Sequence, residues 1–554
     1  MKKKWTLWNV FCLTGIPWFL VFAGAGIFIQ YWYSEKYYHR SFEISSIQDI
    51  QSILALAMLP WMFVLAKNIM FMMQQPVGLF TWVGKFKPMP AEVSSRKFRA
   101  QHPDIPKELL SDTPDGLVLG KQGKKFVRVK LKRGNILNTI ILGSTGCGKS
   151  VLILTLLLYN LHHKPTKNEK FDPMTFYCND IKPELARKSV KIRGNKRVHV
   201  MNPEDRSAWG WDVYYNLTPD SSEDEIISEM DLIARALIDG RNNEKNAFFY
   251  KHGQVIMKAV LFWTYKEGKT FMQGILYLMN GSIDDVVKQT LEKVDDKPQY
   301  AIVKRLLSPY QGKTGEAMEG IELAFRESLD IFNKQSVRYF LEGNPQKASP
   351  EDLEQKISVF FSLPEILLQE YRCLLRLTTM QVMAHSQRRP EDSHMLTLVI
   401  DEAAVIGIDY TSFLATSRSR QIATILAFQS ISQGQDCWGE KKTKSLIELC
   451  RVIAVLSCSD PDMARMLSDW VGEYKEMKQS VNNGGRNDGT YSSSYEDKKI
   501  LTQADLMDLQ EKKEVIAFVK GQYMRMDVEK ARYYNIPELN QISEKCVSIN
   551  DNSK

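Results

Sequence analysis

The stretch Ile141–Val151, ILGSTGCGKSV, constrains the fold of this chain more than any other. Gly143, Ser144, Thr145, Gly146, Cys147, Gly148, Lys149 and Ser150 fill the pattern G-x-x-x-x-G-K-[ST]. An apolar strand, Thr139–Leu142, precedes them and an apolar helix, Val151–His162, follows. That setting separates a phosphate-binding loop from a glycine-rich turn with an incidental lysine. The glycines let successive backbone N–H groups turn inward on phosphates, and the helix N-terminus adds its partial positive charge. Lys149 is placed to reach the β/γ oxygens and Ser150 to hold Mg²⁺, so ATP and Mg²⁺ are the expected ligands.

A second feature completes the chemistry. Met395–Ile400 reads as a buried strand ending in Asp401-Glu402. The first carboxylate would orient the Mg²⁺ and its water shell, and the second would accept a proton from an attacking water, so the pair argues for hydrolysis. The next strand, Thr424–Phe428, ends at Gln429. In RecA-type ATPases a polar residue there can sense the γ-phosphate, and an arginine from a neighbouring subunit can neutralise transition-state charge. Gln429 is the sensor candidate, and Arg418 or Arg420 the finger candidate. Met174–Cys178, Val452–Ser457 and Val515–Lys520 supply further strand signals, and the alternation with helices predicts a mainly parallel α/β sheet over 136–210 and 345–540. Residues 211–344 read instead as amphipathic helices, such as Glu223–Asp239 and Ala247–Tyr265, and so as an inserted all-α domain.

The N-terminus departs from the rest. After Lys2, Lys3 and Lys4, apolar runs at about 8–31 and 53–73 are each long enough for a hydrocarbon core roughly 30 Å thick. Residues 1–80 are therefore expected to form a transmembrane hairpin. Lys85 and Lys87 after the second run place both termini in the cytoplasm. A cleaved signal peptide would have a shorter apolar core. Residues 81–135 read as a basic connector with a leading hairpin at Gly116–Leu131. Over 84–135 thirteen Lys/Arg stand against five Asp/Glu, which suits either an anionic inner leaflet or a nucleic-acid backbone. The net charge of +8 does not by itself demand a nucleic-acid partner. Eight cysteines without CxxC spacing read as reduced thiols in a cytosolic body, and Cys147 offers one of them within reach of nucleotide. Residues 477–498 read as a Gly/Asn/Ser loop, and 541–554 as a C-terminal tail.

The order of these parts resembles the type IV secretion coupling proteins, the TraG/TraD-like conjugative ATPases. The resemblance rests on the two apolar spans, the phosphate loop, Asp180-Ile-Lys182-Pro-Glu184, the helical insertion, Asp401–Gly407 and Gln429-Ser-Ile-Ser-Gln433. Ser459–Arg465 and Leu501–Leu506 add to it. It implies a RecA-like P-loop NTPase domain with an inserted all-α domain behind a two-helix transmembrane hairpin, and hexameric rings at the bacterial inner membrane. It also implies delivery of a relaxase-bound DNA strand, single-stranded at the channel, or of effector proteins to inner-membrane channel components. Asp180, Lys182 and Glu184 carry no assigned role in it. Some members extend further at the C-terminus, so substrate recognition here would fall to the α-domain or to partners. Two alternatives stay open, an FtsK-type DNA translocase and a receptor or scaffold that uses ATP as an assembly switch. The first is disfavoured for want of four spans and a winged-helix end.

Overall fold

A strand covered on both faces has no solvent side for polar residues, so it reads as an unbroken apolar run. The computed structural model places several such runs side by side. It describes residues 100–164, 173–190, 197–240, 247–313, 315–482 and 490–551, with isolated helical positions at 20–25, 27–29, 31, 32, 58 and 62. The expected spans at 8–31 and 53–73 lie largely outside the described residues. Among the described residues no helix is long and apolar enough to cross a membrane. The chain divides into two units, His102–Gly472 with Leu501–Lys554, and Met1–Gln101 with Glu473–Ile500.

In the larger unit the strands are β1 (Leu110–Ser111), β2 (Leu117–Gln122), β3 (Lys125–Val129), β4 (Thr139–Leu142), β5 (Thr175–Asp180) and β6 (Val198–Met201). A small ribbon of β7 (Gly210–Trp211) and β8 (Lys347–Ala348) comes next, then β9 (Ser358–Ser362), β10 (Leu396–Ile400), β11 (Ile422–Phe428) and β12 (Val452–Val455). The smaller unit supplies β13 (Glu473–Asn482) and β14 (Thr490–Lys499), and the chain returns for β15 (Glu514–Val519) and β16 (Gln522–Asp527). Twelve strands form one sheet in the order β1-β3-β2-β16-β15-β12-β4-β11-β10-β5-β9-β6. From β12 through β4, β11, β10, β5 and β9 to β6 every pairing is parallel. From β12 through β15, β16, β2 and β3 to β1 every pairing is antiparallel. All positions of β4, β5, β9, β10, β11 and β12 are buried.

Four readings of the sequence change here. The sheet is mixed, because the strand at Val515–Val519 folds back through β16 onto the hairpin β2–β3. The hairpin expected at Gly116–Leu131 is present as β2–β3, and it and the connector residues from Ile105 are part of the core. Ile105, Leu109, Leu117, Leu119, Val127, Val129 and Leu131 join the core, while Lys107, Lys124, Lys125 and Lys130 between them are exposed. The described part of the expected tail, 541–551, is helix: Pro537–Asp551 buries Leu539 and Cys546, and Asn550 Nδ2 donates to the carbonyls of Arg187 and Val190, both at 2.9 Å. In the smaller unit, the expected loop at 477–498 is instead most of the antiparallel hairpin β13–β14, in which Glu473 pairs with Lys499 and Asn482 with Thr490. Its Gly/Asn/Ser composition lacks the alternation of apolar and polar residues by which a strand is read from sequence.

The helices Glu223–Leu237, Ala247–Lys266, Phe271–Leu278, Ile283–Val294, Ala301–Leu307 and Glu316–Leu329 lie between β7 and β8. The parallel pairing of Gly210 with Lys347 and Trp211 with Ala348 ties the neck of this excursion. Its first helix begins where Ser222 and Glu225 form a capping box, satisfying two orphan N–H groups. That helix is held to Leu368–Ser386 of the sheet layer by a buried polar network. Trp211 Nε1 donates to Gln381 Oε1 at 2.7 Å, and Gln381 Nε2 donates to Glu229 Oε1 at 2.7 Å and to the Val213 carbonyl at 2.8 Å. Asn216 donates to the second Glu229 oxygen at 3.0 Å. Asp239 adds ion pairs to Arg372 and Arg376, and Arg376 also donates to the Gly407 carbonyl at 3.1 Å. Replacing Gln381 by Met leaves the Glu229 carboxylate and the Trp211 indole short of partners, an expected cost of at least about 2 kcal/mol. A urea titration followed by circular dichroism checks this.

Candidate nucleotide site

The parallel registers bring the chemistry to one edge of the sheet. Leu142 of β4 stands opposite Phe428 of β11 and Val455 of β12, while Ile400 of β10 stands opposite Leu426 and Asn179. Gly143, Gln429 and Asp401 directly follow these ends, Ser457 follows Val455 by two residues, and Asp180 is the last residue of β5. They form a row at the carboxyl edge, where ligands of open α/β sheets bind.

The loop from Gly143 leads directly into the helix Lys149–His162, with Gly148 at its N-cap. Gly146 and Gly148 take φ of +81° and +104°, which a side chain would resist. Lys149 is buried, and its Nζ donates to the Gly143 carbonyl at 2.6 Å and lies 3.7 Å from Glu402 Oε1. Glu402 is the N-cap of the short helix Ala403–Ile406 and sits at φ +51°, ψ +45°. A buried non-glycine residue in the left-handed region is held there by its surroundings at a cost of order 1 kcal/mol, and such strain gathers at functional sites. Its Oε2 is buried with no hydrogen-bond partner. Burial pushes the Asp401 carboxyl up to about 7; Glu402 adds to the rise and Lys149 opposes it. Three buried carboxyl groups, Asp180, Asp401 and Glu402, thus act on one another here, with Lys149 and Lys182 opposing the rise at Asp401.

Asp180, equally buried, has a different fate. Its oxygens accept the N–H groups of Leu185 at 3.1 Å and Ala186 at 2.9 Å, and the Ser362 hydroxyl at 3.1 Å. Burial raises its carboxyl to about 6 against the pull of these donors. It anchors the start of the helix Glu184–Ser189, in which Glu184 pairs with Lys188, while Lys182 reaches Glu365 at 3.3 Å. Gln433 and Ser430 likewise start a helix. Ser430 accepts the Gln433 N–H at 3.1 Å and Gln433 Oε1 accepts the Gln429 N–H at 2.9 Å, which fixes the backbone at Gln429 beside the loop.

Two residues at this edge went unnoticed in the sequence. The Ser457 hydroxyl accepts the Ser144 N–H at 2.8 Å and is 2.8 Å from the Ser144 hydroxyl, tying the loop to β12. Arg532 Nη2 donates to the Cys147 carbonyl at 3.3 Å. Neither sits in a motif, and only the fold brings them near. The Cys147 thiol is buried against Gly143. Arg418 is exposed at the start of the turn Arg418–Arg420, ahead of β11, and Arg420 donates to the Arg389 carbonyl at 2.8 Å. The seven residues of β11 place about 23 Å between that end and the loop edge. Arg418 cannot serve the site of its own chain.

Two outcomes are expected. Ser457→Ala removes one loop tether and weakens nucleotide affinity about fivefold, worth ~1 kcal/mol, readable by titration calorimetry. Asp180→Ala strips two helix N–H groups of their acceptor and lowers stability by about 1–3 kcal/mol, readable by urea denaturation.

Comparison with known proteins adds two findings. The family described as the TraM recognition site of TraD and TraG matches residues 395–511, from the strand before Asp401-Glu402 onward. No curated protein matches the sequence. The fold is shared with the unbound monoclinic form of the bacterial conjugative coupling protein TrwBdeltaN70, at TM-score 0.58 and 17% identity over 76% of this chain and 90% of that one. TrwB in complex with the non-hydrolysable GTP analogue GDPNP is similar at TM-score 0.54 and 17% identity, over 73% and 90%. TrwB in complex with ADP and Mg²⁺ gives 0.54 and 16%, over 71% and 84%. The resemblance to type IV secretion coupling proteins is thus borne out, by a TraG/TraD family segment at residues 395–511 and by a fold shared with a conjugative coupling protein.

Proposed function

We propose that this chain is a membrane-anchored ring ATPase that couples ATP hydrolysis to the recruitment and passage of a substrate into a type IV secretion channel. The substrate would be a relaxase-bound DNA strand, an effector protein, or both. The observation that carries this reading is the meeting of Lys149, Asp401 and Glu402 at one sheet edge. That TrwB has been captured with ADP and Mg²⁺ supports the same ligands here.

The residues fit Mg²⁺ and ATP. The unpartnered Glu402 Oε2 and the raised Asp401 carboxyl leave acidic oxygens short of counter-charge. Ser150 and Asp401 would hold the metal, which would draw charge from the β- and γ-phosphate oxygens. The N–H groups of Ser144–Ser150 would cradle the phosphates, and Lys149 would exchange the Gly143 carbonyl for a phosphate oxygen. Glu402 Oε2 would take a proton from water as the water oxygen attacks the γ-phosphorus and the bond to the bridging oxygen breaks. Gln429 would report whether the γ-phosphate is present. Since Arg418 lies at the far end of β11, a finger role for it would require a neighbouring copy, as in a homo-hexamer with shared sites. The apolar runs at 8–31 and 53–73 would hold the ring to the inner membrane, with channel components and lipids as neighbours and both termini in the cytoplasm.

The test is ATP turnover by the assembled protein with and without single-stranded DNA. Turnover should rise with DNA, and Lys149→Ala and Glu402→Gln should lose at least ~100-fold, with ATP binding kept in the second. Negligible, DNA-independent turnover by a correctly assembled oligomer would overturn the motor and favour a receptor that uses ATP as an assembly switch. Removing residues 1–80 should weaken hydrolysis; a monomer that hydrolyses at full rate sinks the shared site.

A further inference from the structure

Arg532 occupies a place that the readings above leave unexplained. The turns Glu529–Ala531 and Tyr533–Asn535 follow β16 and flank it. Its Nη2 donates to the Cys147 carbonyl at 3.3 Å, and the guanidinium covers Gly148, where an added Cβ would stand 3.3 Å from Nη2 and 3.5 Å from Cζ. Nη1 donates to the Tyr534 hydroxyl at 2.8 Å and lies 3.2 Å from Glu529 Oε2, and that hydroxyl donates to Glu529 Oε1 at 3.3 Å. About a quarter of the side chain, 23%, stays exposed. A permanent cation therefore rests on the phosphate loop, held from behind by one carboxylate.

Docking of this segment does not depend on the arginine. Ala531 and Tyr533 are buried, and Asn535 Nδ2 donates to the Glu529 carbonyl at 2.7 Å. A peptide carbonyl is a modest partner for a guanidinium, whereas an anionic phosphate oxygen forms a shorter bond about twice as strong. The planar fork of arginine suits two such oxygens at once. Position narrows the choice of phosphate. The backbone of a phosphate loop cradles the α/β groups while its lysine reaches β/γ, and Arg532 sits on that backbone at Cys147 and Gly148.

We propose that Arg532 is a nucleotide-binding residue acting in cis, donating to the α/β-phosphate oxygens, and that Glu529 competes with the nucleotide for it. This rests on the nucleotide reading above. It gives the site a cation from its own chain, apart from any arginine a neighbour supplies. Because the contact is to α/β oxygens, ATP and ADP should feel it alike.

The test uses the full chain: titration of wild type, Arg532→Ala, Arg532→Lys and Glu529→Gln with Mg²⁺-ATP and Mg²⁺-ADP, and thermal melts without nucleotide. Arg532→Ala should weaken both nucleotides by about tenfold or more and by the same factor, with the nucleotide-free melting temperature unchanged. Arg532→Lys should recover part of the loss, and Glu529→Gln should tighten binding. Arg532→Ala with wild-type affinity overturns the proposal, as does a lowered nucleotide-free melting temperature with Glu529→Gln weakening binding, the signature of a structural staple. Wild type that binds neither nucleotide removes the nucleotide reading, and this inference with it.

Discussion

Parallel register is the constraint on which the rest of this structure depends. Because β12, β4, β11, β10 and β5 run the same way and end nearly in step, the residues after their last paired positions meet on one edge. A slip by one residue would turn every side chain of a strand to the opposite face and bury the wrong set. Leu142, Val455, Phe428 and Ile400 are all buried, so burial fixes the register, and the register places Gly143, Ser457, Gln429 and Asp401.

The same edge shows how partners, and not residue type, decide what a buried carboxylate does. Asp180 ends β5, Asp401 follows the neighbouring β10, and both carboxyls are pushed up by burial. Asp180 is surrounded by donors, two helix N–H groups and a hydroxyl, so its charge is absorbed by local structure. Asp401 feels Glu402 and Asp180 against Lys149 and Lys182, and Glu402 keeps an oxygen without a hydrogen-bond partner. An excess of acidic oxygens in a dry pocket persists only where something cationic can meet it.

The helical excursion and the sheet are joined close to this chemistry. Arg376 bonds the Ala236 and Arg235 carbonyls and Asp239 at one end, and the Gly407 carbonyl just past the Asp401-Glu402 helix at the other. The neck of the excursion, Gly210–Trp211 against Lys347–Ala348, is two residues wide, so these buried contacts carry much of its attachment. Segments at opposite ends of β11 have correspondingly different reach: Gln429 borders the loop, and Arg418 does not.

What the sequence determined by itself were the local devices. The G-x-x-x-x-G-K-S loop, the apolar strand before Asp401-Glu402 and the amphipathic helices of the insertion follow from residue type and spacing, because glycine freedom and the burial of one face act over a few residues. Leu396–Ile400 and the helix from Glu223 were legible for this reason. The tertiary structure decided what distance in the chain conceals. The antiparallel flank through β16, the Ser457 tether and the placement of Arg532 on a loop 385 residues away all depend on partners far apart in sequence. A hydroxyl or a guanidinium carries no spacing signal of its own, and only closure of the sheet selects which ones meet the loop.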